Sequence, residues 1–141
     1  MHTESYEVIR GICILKGDSE ITKKSSSSQT IFLKSEFNRK NDIFMVILGK
    51  DEEAAPEGYK VAIISTVKET LNPDLEIEPV ISKLGNVVKK FIEVRNVYQT
   101  ADINNIYFTK GVDESTHFET LCCEIKNMCE KLGIQLKLEE K

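Results

Sequence analysis

Few residues in this sequence could do chemistry: the histidines His2 and His117, the cysteines Cys13, Cys122, Cys123 and Cys129, and the closely spaced carboxylates Glu76 and Glu78. A Cys–His dyad needs a thiolate, a base within hydrogen-bond reach and a third group that orients the base. His117 could in principle serve Cys122 or Cys123. It sits inside Thr116-x-x-Glu119, however, a spacing that caps a helix, and the cysteines recur at helical intervals as small apolar fillers. Packing is therefore the better reading. Cys-Cys-x5-Cys is not a zinc-ligand spacing, and no paired histidines complete one. Glu76 and Glu78 are two residues apart, so on a helix they face different ways and cannot share a proton. They read as a solvated first turn matched to the helix dipole. Gly17-Asp18 and Gly49-Lys50 are isolated turn pairs rather than phosphate-cradling loops. No catalytic, cofactor-binding or metal-ligating residue is nominated.

The bulk properties agree with a non-catalytic globular chain. It has 141 residues, 40% hydrophobic and 30% charged, with a formal net charge of −4. That length fits one domain with a core of its own. Acids and bases are well mixed, and no long basic stripe offers a nucleic-acid footprint. The longest apolar runs, such as Val61 to Ile64, fall far short of the ~20 residues a transmembrane helix needs. MHTESYEVIRG lacks the layout of a signal peptide, and LKLEEK carries no lipidation box. Three cysteines crowd one segment, which argues for reduced thiols in a cytoplasmic protein.

Four segments read as strands: 7–15, 29–33, 42–48 and 59–66, dense in Val, Ile and Leu. Lys16 to Ser28 is polar, with serines at 25–28, and reads as a mobile surface loop. The third and fourth strands should pair antiparallel. Asn72-Pro73 should open a helix, with Asn72 as cap and Leu75, Ile77, Val80, Ile81 and Leu84 as its apolar face. Pro79 would kink that helix or force a restart, and Gly85 would stop it. Residues 87–97 should be extended, with Phe91, Ile92 and Val94 in the core. Gln99 to Asn105 reads as loop and Ile106 to Thr109 as a short strand. After the capping box, Phe118, Leu121, Cys122, Ile125, Met128, Cys129 and Leu132 form one stripe of a second helix, so Cys122 and Cys129 are expected to be buried. The tail 134–141 should fray. The expected fold is α+β: a mixed, largely antiparallel sheet with two main helices.

Several blocks resemble the carboxy-terminal region of the Rab GDP-dissociation inhibitor family. They are IRGICIL at 9–15, NRKNDIF at 38–44, VAIISTVKET at 61–70, IEPVISKLG at 77–85 and STHFETLCCEIK at 115–126. Their order and approximate spacing follow the family over nearly the whole chain. The second and last blocks are the specific ones. Pro79 falls where the family also has Glu-Pro. Residues 67–68 and the loop at 99–105 depart from the family pattern.

The resemblance implies a single compact unit over 1–141 that is only part of a family-length chain. Residues 6–98 would match a mixed-sheet insert, and 102–133 the final strand and helix of a flavoprotein-like domain. It implies no cofactor and no enzymatic activity. It implies a protein that binds prenylated Rab GTPases in the GDP state, slows GDP release and carries them between membrane and cytosol. The Rab-binding platform is expected upstream of this segment, so no Rab-binding residue is named within it. A Rab escort protein is the near alternative, and a fragment of a flavin-dependent oxidase the distant one. Residues 102–133 should fold back on the sheet of residues 8–66 or dock on a second copy.

Overall fold

A computed structural model describes residues 2–100, 103, 105–109, 113–115 and 119–136. Its centre is one five-stranded sheet. The strands are β1 (His2–Lys16), β2 (Ser28–Phe32), β3 (Ile43–Leu48), β4 (Tyr59–Val67) and β5 (Val87–Thr100), in spatial order β2-β3-β4-β1-β5. Every pairing among these strands is antiparallel, including the expected one between β3 and β4. The mixed sheet expected from the sequence is thus all antiparallel here. Among the described residues two α-helices accompany it, α1 (Pro73–Ile81) and α2 (Glu119–Lys131).

Alternation decides which residues meet. Ile9, Cys13 and Leu15 of β1, Ile43, Met45 and Ile47 of β3, and Ala62 and Ile64 of β4 point to one face and are buried. Helix α1 covers that face with Ile77, Val80 and Ile81, and Leu84 follows in the turn. Gly11 makes the close seating possible. A Cβ at position 11 would lie 2.8 Å from Ile77 Cδ1. Pro73 stands at the first helical position, as expected. Pro79 neither ends nor restarts the helix. It lies on the exposed side, two residues before the last residue of the helix, and removes one backbone donor from the helical ladder.

Several expectations are corrected. Leu75 is exposed, because a helix this short buries only the side turned to the sheet. Phe91 and Val94 are exposed too: Val94 lies on the α1 side but at the edge of the sheet, and Phe91 points to the opposite face, which α1 does not touch. Gln99 and Thr100, expected in a loop, still belong to β5. Ile106 to Thr109 is not a strand; Ile103 and Ile106 form one isolated bridge. The α2 stripe has the predicted spacing but no cover: Leu121, Cys122, Ile125 and Leu132 are exposed, and Cys129 is half-buried. The capping box at Thr116, with His117 and Phe118, lies outside the described residues, as do the Lys110-Gly111 turn and most of the tail.

Of residues 102–133, Asp113 and Glu114, just before α2, contact the sheet. Arg10 Nη2 donates to the Asp113 carbonyl at 3.0 Å, and the Tyr6 hydroxyl donates to Glu114 Oε2 at 3.2 Å. Burial, and then the neighbouring Glu114 and Asp113 carboxylates, push the Tyr6 phenol up to about 12.

Candidate functional site

The polar residues that the structure gathers most tightly lie where the β2–β3 loop meets the β4–α1 loop. Arg39 is the hub. Its Nη1 donates to Glu76 Oε2 at 2.8 Å, and its Nη2 donates to the Val67 carbonyl at 2.8 Å and lies 3.4 Å from Thr66 Oγ1. Glu69 Oε1 stands 3.5 Å from the same nitrogen. The side chains of Arg39 and Glu76 are 7% and 3% exposed, so this is a buried ion pair.

Both carboxylates are saturated by donors. Glu76 accepts the amides of Glu69 and Thr70 and the Thr70 hydroxyl. Glu69 accepts the amides of Lys40 and Asn41 and the Asn41 side-chain amide. Thr66 Oγ1 donates to the Asp42 carbonyl at 2.8 Å, and Asp42 Oδ1 accepts the Lys34 amide at 2.7 Å. Burial raises the pKa of Glu76, but hydrogen bonds from Arg39, Thr70 and the loop amides outweigh it and hold the carboxyl below its ordinary range. For Glu69 burial again acts upward, and hydrogen bonds from Lys40 and Asn41, then the Arg39 charge, prevail. A buried charge needs this saturation, because an unpaired one would cost several kcal/mol.

The arrangement contains no nucleophile and no base poised for proton transfer. It is a clasp: two carboxylates and one guanidinium fix two loops against the end of the sheet. Beside it the chain presents Leu71, 91% exposed, and Leu75, 69% exposed. Glu76 was expected to be solvated and is instead the buried end of the pair. Glu78 does face outward, with Lys90 Nζ 2.7 Å from its Oε2. Sequence reading missed the clasp because its members are spread from Asp42 and Arg39 to Glu76. The one available signal was that NRKNDIF, VAIISTVKET and the residues just before IEPVISKLG supply nearly all of it.

The other nominated residues stay apart. Cys13 is buried in the sheet core, where burial pushes its thiol up. Cys122 and Cys123 are exposed on α2. All four cysteines are free, and among the described residues no cluster of three or more His, Cys, Asp or Glu could hold a metal. The serine tract is anchored rather than loose. Ser26 Oγ donates to Glu52 Oε2 at 2.8 Å, and the Gly49 amide donates to the same oxygen at 2.9 Å. Hydrogen bonds from Ser27, the Gly49 amide and Ser26 bring the Glu52 carboxyl down to about 2. Lys60, largely buried, ties the same loop down through Thr22 Oγ1, the Ser25 carbonyl and Asp18. An open cavity of about 300 Å³ lies beside it, lined by Lys24, Lys50, Asp51 and Glu57 among others. No helix among the described residues is long and apolar enough to cross a membrane.

The blocks that supply the clasp are the ones that resemble a known family, and the comparisons with known proteins show which one. The sequence pattern described as "GDP dissociation inhibitor" matches residues 2–141. This chain belongs to the GDP dissociation inhibitor family. It is 35% identical over 138 residues to the "Probable secretory pathway GDP dissociation inhibitor 1" of Schizosaccharomyces pombe, covering 95% of this chain and 31% of that protein. It is 33% identical over the same length to the "Rab GDP dissociation inhibitor beta" of Canis lupus familiaris, with the same coverage. The crystal structure of the Rab GDI of Plasmodium falciparum superposes with a TM-score of 0.89 at 30% identity, over 97% of this chain and 32% of that one. The chain thus spans about a third of the length of these relatives. As a member of this family it is not an enzyme.

Proposed function

We propose that this chain is part of a Rab GDP-dissociation inhibitor that binds prenylated Rab GTPases in the GDP state, slows GDP release and recycles them between membrane and cytosol. The carrying observation is that likeness to proteins of that name runs over 95% of the chain in sequence and 97% in structure. The relatives' names favour the inhibitor over the escort protein and the flavin oxidase. In this reading the Rab-binding platform belongs to the part of a family-length protein that precedes this segment. Residues 6–98 act as the sheet unit and 102–133 as the closing segment of the larger domain. The protein works in the cytoplasm with passing encounters at membranes.

The test uses a chimera in which this chain replaces the matched stretch of the Schizosaccharomyces pombe relative. Membranes bearing prenylated, GDP-loaded Rab are incubated with the chimera or with this chain alone, then sedimented. The chimera is expected to release Rab into the supernatant and the chain alone to release none. A folded chimera that leaves Rab on the membrane, or release by the chain alone, sinks the reading.

A further inference from the structure

The serine tract is a polar motif that the family reading leaves unused. Ser25 to Ser28 follow Lys23 and Lys24, and no acidic residue lies between Ile21 and Leu33. Basic residues two and three positions before a serine are what a basophilic serine kinase reads, because an acidic substrate groove attracts their ammonium groups. In this tract that spacing belongs to Ser26. Ser28 is a poor target, since its Oγ is buried at the start of β2. Lys23, Lys24 and Ser25 are exposed, and Ser26 and Ser27 are half-buried. Lys23 and Lys24 hold left-handed backbones, with φ of 47° and 73°, which residues other than glycine seldom adopt. The stretch that a kinase must draw out straight, Lys23 to Ser27, therefore gives up strain when it leaves the end of the sheet.

Ser26 is also the stitch between two loops. Its Oγ donates to Glu52 Oε2 at 2.8 Å and accepts the Asp51 amide at 3.3 Å. The Gly49 amide donates to the same Glu52 oxygen at 2.9 Å. A Cβ on Gly49 would lie 2.8 Å from the Ser26 carbonyl oxygen, so the two loops touch backbone to backbone. We propose that Ser26 is a phosphorylation site for a basophilic serine kinase, and that the phosphate parts the 17–27 loop from the 49–58 loop. In the transfer, Ser26 Oγ attacks the γ-phosphorus of ATP, the bond from that phosphorus to the departing ADP oxygen breaks, and the hydroxyl proton passes to the catalytic carboxylate of the kinase. The product loses the donor that held Glu52 and sets a group of about −2 charge at neutral pH against that carboxylate. Glu52 is driven off. Lys24 and Lys50, on the wall of the cavity that Ser26 also lines, are the cations that receive the phosphate. The stitch lies at the opposite end of the β2–β3 pair from the clasp, and the proposal does not depend on Rab binding.

The chain is incubated with ATP, magnesium and the catalytic subunit of cyclic-AMP-dependent protein kinase, and the modified serine is located by tandem mass spectrometry. Phosphate is expected at Ser26. Lys23→Ala with Lys24→Ala should slow the reaction by more than about tenfold, and Glu52→Gln, which weakens the stitch, should speed it by about threefold or more. No phosphate, phosphate on another serine, transfer only to denatured chain, or an unchanged rate in the lysine variant overturns the site. The parting of the loops is read at Glu52 itself. Carbon-13 NMR of its carboxyl should show a pKa raised by more than about one unit once Ser26 carries phosphate, through the adjacent negative charge and the lost hydrogen bond. Ser26→Ala removes only the hydrogen bond and should raise it less. A Glu52 carboxyl that titrates as before, or no higher than in Ser26→Ala, overturns the parting, and so does an unchanged phosphorylation rate in Glu52→Gln.

Discussion

Arg39 of the β2–β3 loop and Glu76 of α1 lie 37 positions apart in sequence, yet their side chains meet at 2.8 Å with almost no access to water. Removing one partner leaves the other charged, buried and unmatched, which costs about 3–5 kcal/mol. Arg39→Ala and Glu76→Ala are each expected to lower unfolding stability by about that much in urea titrations. The double variant should cost less than the sum, because the second deletion relieves the orphaned charge. Additive losses would show that the two residues act independently.

The clasp also sets an acid limit. The folded-state pKa values of Glu69 and Glu76 lie below the ordinary value, so both carboxyls bind protons more weakly in the folded chain than in the unfolded one. Their contribution is present above the unfolded value of about 4.3 and is lost as pH falls through the folded values. The urea midpoint is expected to fall steeply below about pH 4.3. Glu76→Gln should be less stable at neutral pH and show a shallower acid slope. An identical slope in the variant would place the acid sensitivity elsewhere.

Gly11 and Ile77 make a second testable pair. The 2.8 Å approach means that a side chain at position 11 must displace the end of Ile77 or lift α1. Gly11→Val is expected to destabilise by about 1–3 kcal/mol through overpacking. Ile77→Ala destabilises by itself, yet should recover part of the Gly11→Val loss in the double variant. Absence of any recovery would show that the helix is not seated on this glycine.

Thiol reactivity reads the placement of the cysteines. Cys122 and Cys123 are exposed, and Cys13 is buried with its thiol pKa raised by burial. Native protein should label at Cys122 and Cys123 first and at Cys13 only as fast as the sheet opens. Denatured, unreduced protein should label at all four. Fewer than four labels would reveal a disulfide, and fast labelling of Cys13 an open core.

Strands were legible wherever local composition and burial agree. The runs ending in Leu15, Leu48 and Thr66 are central strands, and their Val and Ile density says so. Phe91 and Val94 misled for a reason the sequence does not hold: whether an apolar strand residue is buried depends on its place in the sheet, and β5 is an edge. The α2 stripe misled in the same way, since periodicity marks a face but not its cover. The clasp was invisible locally, because a glutamate two residues from another looks solvated until the fold brings Arg39 to it. Resemblance to the family supplied what pattern could not, and the clasp gives that resemblance a physical basis.

The strand order has a consequence for synthesis on the ribosome. Strand β1 is made before its neighbours, yet it lies between β4 and β5. It waits for Tyr59–Val67 on one side and Val87–Thr100 on the other. At about 5–20 residues per second, the gap to β4 alone takes roughly 2–10 s. Throughout that interval IRGICIL emerges as an apolar, β-prone ribbon with both edges unsatisfied. The nascent chain is therefore most exposed to mispairing at an interior strand, and a chaperone that shields extended apolar segments would raise its folding yield most by acting there.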